Sequence, residues 1–208
     1  MGRYTGPKGK LSRREGVNLY LKGSRSFSDK NALQRKPFVP GQHGNQRRTR
    51  LSNYGIQLRE KQKVKRAYGM QEKQFKKYFS MAERARGITG EQLLSLLERR
   101  LDNTVFRLGL ADSRAQARQT VLHGHVTVNG KKVNIASYLI VVGDEIKVKD
   151  SSKDIERFKE IRESESRPVG KWLTFDSANL TGRVVALPQR DDIDLTISEH
   201  LIVELYSK

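Results

Sequence analysis

Residues 113–133 read SRAQARQTVLHGHVTVNGKKV, and two periodicities meet in them. Ser113 with Gln116 three positions on is the signature of a capping box. Ala115, Ala117, Val121 and Leu122 give the following helix an apolar side, and Gly124 is a natural stop. About eleven residues at 1.5 Å each predict a helix of roughly 16 Å. Directly after it His125-Val126-Thr127-Val128 alternates, Asn129-Gly130 is a strong hairpin signal, and Lys131-Lys132-Val133 opens the return strand. Two further β-rich stretches, 138–142 and 145–148, flank Gly143-Asp144. A helix feeding an antiparallel meander makes a small α-plus-β module.

Cations decorate this module. Arg114 and Arg118 stand four apart and share a helix face. Free N–H groups at the Ser113 end add a positive dipole end, so charge and backbone together can hold a phosphate. With His123, His125, Asn129, Lys131 and Lys132 they form a candidate set for binding a polyanion. On this reading Arg114→Ala and Arg118→Ala weaken RNA binding and leave the fold intact. The alternative is a solvated helix face with no ligand.

The whole chain has 208 residues, with 41 Lys and Arg against 23 Asp and Glu, a formal net charge of +18 and a pI near 10.2. Self-repulsion at this charge costs stability, so a polyanionic partner is expected, nucleic acid first. The charge is graded: +11 over residues 1–50, +5 over 51–98, +4 over 99–160 and −2 over 161–208. Without cysteine there are no disulfides and no thiolate sites. No apolar run approaches the ~20 residues of a membrane-spanning helix, and the N-terminus lacks a signal-peptide core. The expected location is cytoplasmic, with no membrane partner.

The glycine-dotted first fifty residues read as an extended basic arm that orders on RNA, with Tyr4, Tyr20, Phe27 and Phe38 set among the bases. From Ser52 the pattern becomes helical. Ser52 is a candidate N-cap and Gly69 a stop. A second helix carries Phe75, Tyr78, Phe79, Ala82 and Ala85 on one apolar face. Thr89 and Gln92 suggest a third helix running to about Leu108. Trp172, Leu173, Phe175 and 184–187, followed by the alternation of Leu201, Val203 and Leu205, are expected to pack back on the helices of residues 70–110.

Arg100-Leu101-Asp102-Asn103, Arg107-Leu108-Gly109, Ser113-Arg114, Ala117-Arg118-Gln119, the run from His123 to Gly130, Ala136-Ser137-Tyr138 and Gly143-Asp144 resemble the S-four-type RNA-binding module. Gly2-Arg3-Tyr4, Gly6-Pro7, 11–16, Pro40-Gly41-Gln42-His43-Gly44, 54–63 and the terminal 199–208 extend the likeness over the whole chain to the bacterial ribosomal S-four family. The resemblance implies an α+β chain: an extended basic arm over 1–50, a helical domain over 51–97 completed by 161–208, and an inserted module of two helices and a small antiparallel sheet over 98–160. It implies a primary binder of small-subunit rRNA that nucleates assembly of the subunit body and contributes to decoding accuracy. The implied partners are rRNA, the small-subunit proteins S-five and S-twelve, and mRNA near its entry, with the chain a monomer in the ribosome. RNA contacts then fall on Arg3, Tyr4, Arg13, Arg14, Gln42, His43, Tyr54, Arg59, Lys61 and Lys63 besides the module, with Arg47, Arg48 and Arg50 toward mRNA. Some relatives bind zinc through four arm cysteines. Here those positions read Gly9, Ser12, Ser26 and Asn31, so a zinc-free arm is expected, without cofactor.

Catalytic and metal readings find little support. Residues 124–132 resemble a phosphate-binding loop, but the spacing is one too long and Lys132 replaces the needed hydroxyl. His123 and His125 lack further ligands, and Asp191-Asp192-Asp194 lacks those of a calcium loop. That acidic turn reads as solvated or as a contact for a basic neighbour. An RNA-modifying enzyme anchored by the module lacks room for a catalytic domain. A translational repressor binding mRNA remains an alternative.

Overall fold

The computed structural model describes residues 2–46, 50–163 and 169–207, and these divide into two compact units. The first comprises residues up to Leu93 and those from Leu195; the second is Leu94–Asp194.

In the first unit the basic segment is not an extended arm. It contains helix α1 (Lys8–Glu15), a 3-10 turn (Gly23–Ser26) and the short α2 (Ala32–Arg35). Hydrogen bonds close this segment on itself: the Asn18 and Asn31 amides both donate to the Ser26 carbonyl, at 2.8 and 3.0 Å. Helix α3 (Asn53–Ala67) begins where Ser52 Oγ accepts from Gly55 N–H at 3.2 Å. Glu15 joins α1 to α3 through Arg59 at 3.3 Å and through Arg66. Helix α4 (Glu72–Arg84) turns Phe75, Tyr78, Phe79 and Ala82 inward, as its spacing predicts. The C-terminal α9 (Glu199–Tyr206) packs along α3. The alternation read over 201–206 is therefore helical, with Ile202 fully buried.

The expected third helix is two helices, α5 (Thr89–Glu98) and α6 (Leu101–Arg107). Arg100 is extended, at φ −67° and ψ 136°, and forms an isolated bridge with Leu139. Leu101 N–H donates to the Tyr138 carbonyl at 2.8 Å, and Ile140 N–H to the Arg99 carbonyl at 3.0 Å. These tertiary bonds outweigh the continuing leucine stripe.

Helix α7 (Arg114–Leu122) has nine residues rather than eleven. Ser113 Oγ accepts from Gln116 N–H at 3.3 Å. The Gln116 side chain accepts from Asp112 N–H at 2.8 Å, one residue before the cap. Strands β1 (Val126–Val128) and β2 (Lys131–Lys132) flank Asn129 and Gly130, whose φ values of +50° and +77° are those of a type I′ turn. Strand β3 (Glu145–Val148) pairs with β1 and with β5 (Thr181–Val184), which pairs with β4 (Leu173–Asp176). The antiparallel order is β2-β1-β3-β5-β4. Strands β4 and β5 thus belong to the central sheet and not to the helical unit, so the module extends to Asp194 and only the last residues return to α3. Gly182 makes this possible: a Cβ there would stand 2.5 Å from a Leu108 methyl, so its absence lets Leu108 close against β5. Trp172, Phe158, Leu101 and Ile146 share this unit's core.

Candidate nucleic-acid interface

In the second unit the hairpin presents Lys131 and Lys132 to solvent, with His123 and Asn129 also exposed. The Asn129 side chain is committed to the fold. Its amide donates to Asp144 Oδ1 at 2.7 Å, and its oxygen accepts from Glu145 N–H at 2.9 Å. His125 is half-buried, with Nδ1 2.9 Å from Ser152 Oγ. Burial holds its imidazole below the ordinary value, helped by the positive charges of His123, Arg157 and Lys132.

The two helix arginines are not an open face. Arg118 is 8% exposed, and its Nη1 lies 3.0 Å from Asp102 Oδ2. Asp102 also takes two bonds from the fully buried Arg100, at 3.0 and 2.6 Å. Arg114 is half-buried; its Nε donates to Asn103 Oδ1 at 2.7 Å and its guanidinium stacks over Phe106 at 4.6 Å. Glu98, fully buried, gathers Arg107 at 2.9 Å and Asn103 at 2.6 Å. Arg118→Ala is therefore expected to cost stability as well, because this arginine is one of two guanidiniums on a buried carboxylate. Sequence spacing places two residues on one face, but only tertiary structure says whether that face points inward.

In the first unit Arg3, Tyr4, Arg14, Gln42, His43, Arg50 and Tyr54 are exposed. Arg13 is half-buried, donating to the Phe38 carbonyl at 2.9 Å with its guanidinium 4.9 Å above the Phe38 ring. Arg59 is held by Glu15, and Lys63 by Glu60 at 2.7 Å and the Thr196 carbonyl at 3.0 Å. Lys61 is 8% exposed and bound to Glu72 at 2.6 Å. It is a structural cation rather than a surface contact. Arg47 and Arg48 lie outside the described residues.

Of the bases of 8–36, the candidate set names only Arg13 and Arg14. A cleft of about 420 Å³ is walled by Lys8, Lys10, Arg13, Lys22, Arg25, Lys30, Arg35 and Lys36, with no carboxylate in its lining. Lys8 is held below the usual lysine range, first by burial and then by Lys22 and Arg3. The available sequence signal was the single acid, Glu15, within residues 1–28. Gly9, Ser12, Ser26 and Asn31 line the same cleft. Glycine offers no donor, Ser26 Oγ accepts from Lys22 N–H at 3.1 Å, and Asn31 Oδ1 accepts from Leu33 N–H at 3.1 Å. Such a donor set amid lysines and arginines does not suit a zinc ion. The cleft suits an anion.

The acidic turn near the C-terminus is partly spoken for. Asp194, though exposed, pairs with Arg107, and Asp192 accepts from Gln189 N–H at 2.8 Å; Asp191 is exposed as well.

A cationic hairpin on a small α+β module in one unit, and an acid-free basic cleft in the other, define the class of RNA-binding proteins built on an S-four-type module. The model described as "Ribosomal protein S4/S9 N-terminal domain" matches residues 3–98, and that described as "S4 domain" matches residues 99–146. Curated relatives align over the full length of both chains. They include "Small ribosomal subunit protein uS4" of Caldicellulosiruptor saccharolyticus, 60% identical, and proteins of the same description from Ruminiclostridium cellulolyticum, 60%, and Halothermothrix orenii, 59%. The chain belongs to the ribosomal protein S-four family.

Proposed function

We infer that the chain is a structural, non-enzymatic constituent of the small ribosomal subunit that binds its rRNA directly, nucleates assembly of the subunit body and contributes to translational accuracy. The observation that supports this reading best is end-to-end similarity to small-subunit proteins, joined to the acid-free basic cleft and the exposed hairpin lysines. Phosphates of folded RNA are captured by charge, and exposed Lys131, Lys132 and the basic cleft then hold backbone and 2′-OH groups. S-five, S-twelve and mRNA near the entry belong to this proposal as neighbours.

Neutralising ~10 phosphates gives a slope of log K against log salt of roughly −7 to −9. Filter binding of a small-subunit rRNA transcript across salt measures it, and a nearly flat titration would reject electrostatic capture. Lys131→Ala removes one exposed charge at the hairpin and is expected to flatten the slope by about 1. An unchanged slope places the hairpin tip away from RNA.

A further inference from the structure

The second unit brings four basic side chains together around α7, β1, β2 and α8, with few acids near them. His123 ends α7, His125 precedes β1, Lys132 lies on β2, and Arg157 belongs to α8 (Glu156–Glu163). The His123 and His125 rings are 6.0 Å apart. The Lys132 side chain lies across Gly124, between the two histidines in sequence, so close that a Cβ there would meet Lys132 Cε at 2.3 Å. Arg157 is half-buried; its Nη2 donates to Thr120 Oγ1 at 2.9 Å, and its Nε is buried without a partner. Among the described residues no carboxylate forms an ion pair with Arg157; Asp112 acts on it only through its field. Of the acids just before Arg157, Asp150 is taken by Lys153 at 2.8 Å and Lys147 at 3.8 Å, while Asp154 and Glu156 are exposed.

A half-buried guanidinium with an unpartnered Nε beside a lysine and two imidazoles is costly unless an anion compensates it. Ser152 holds Nδ1 of His125 and the Phe158 ring meets the imidazole edge-on, so the ring is fixed and Nε2 is the nitrogen left for a ligand. We propose that His125, Arg157 and Lys132 form a seat for one RNA backbone phosphate, and that filling it places a solvent proton on His125 Nε2. The seat rests on the reading that the chain binds rRNA. Without an anion, burial and the three neighbouring cations keep His125 neutral near pH 7. A phosphodiester, ionised throughout this range, reverses the local field. Binding therefore strengthens as pH falls from 7.5 to 5.5.

The full chain is titrated by NMR of the His125 ring, alone and with sodium sulfate, which remains a dianion from pH 5.5 to 7.5. In parallel, filter binding to a small-subunit rRNA transcript is measured at both pH values in wild type, His125→Gln and Arg157→Gln. The expected results are a midpoint below 6.5 that rises with sulfate, and a gain in rRNA affinity of about threefold to tenfold at pH 5.5, one pKa unit corresponding to tenfold. Both substitutions should abolish most of that gain. A sulfate-responsive midpoint with pH-independent rRNA binding overturns the assignment to an RNA phosphate. Normal rRNA binding with neither response overturns the seat and leaves the ribosomal reading standing. Absence of rRNA binding at pH 7.5 overturns that reading and, with it, the seat as an RNA site.

Discussion

Asp102→Ala is expected to lower the stability of the second unit by about 3–5 kcal/mol, the usual cost of stranding a buried ionic partner. One carboxylate here serves two guanidiniums, Arg100 with no exposure and Arg118 with 8%. Removing it leaves both desolvated. It also loosens the start of α6, where the extended Arg100 bridges to Leu139. Trp172 is the chain's one tryptophan, 1% exposed and in this core, so its fluorescence during urea unfolding reports on this unit. Arg118→Ala should cost less, because Asp102 retains Arg100. A normal urea midpoint in Arg118→Ala together with weakened rRNA binding would return this arginine to the RNA surface.

The contrast between the two arginines and the hairpin explains what was legible in the chain. Ser113 with Gln116, Ser52 with Gly55, and the Asn129-Gly130 turn act over two to four residues, so their chemistry is written locally. The apolar stripe of α4 is equally local. The break at Arg100 is not, since Leu97, Leu101, Val105 and Leu108 continue a helical stripe through it. It is set by hydrogen bonds to 138–140, some forty residues on. Strands β4 and β5 joined the wrong unit in the sequence reading for the same reason: short β-stretches do not name their partners, and β5 finds β3 through register rather than composition. For the site, charge density singled out Lys131 and Lys132, which the fold leaves exposed. It misjudged Arg118 and Lys61, whose acids, Asp102 and Glu72, lie 16 and 11 residues away. Of the cleft over 8–36 only Arg13 was singled out, because its bases come from separate short elements without a common period.

Tyr206→Ala is expected to detach the C-terminal helix from the first unit, at a cost of about 3 kcal/mol, the lower end for truncating a packed aromatic since this ring is only half-buried. Its ring lies 4.4 Å from Phe79 and 6.3 Å from Phe75, with Lys61 Nζ 5.6 Å above it, and its hydroxyl donates to Glu72 Oε1 at 3.0 Å. Hydrogen exchange should show the amides of 199–206 losing protection in Tyr206→Ala, and Tyr206→Phe should lose only about 1 kcal/mol, the worth of a single hydrogen bond. Equal exchange in all three proteins would mean that the apolar residues of α9 hold it alone. The same cluster sets an acid limit. Burial pushes the Glu72 carboxyl up, but hydrogen bonds from Lys61, Lys65 and Tyr206 outweigh this and hold it at about 2. A depressed carboxylate contributes stability that is complete above its unfolded value and lost as pH falls through the folded one. Glu72 is 47% exposed, so solvent screening reduces its share to about 1 kcal/mol. Glu72→Gln should therefore destabilise the first unit at pH 7 and lose less than wild type between pH 4.5 and about 2. Acid titrations of both proteins, followed by circular dichroism, check this, and curves that lose the same stability over that range would place the anchoring charge elsewhere.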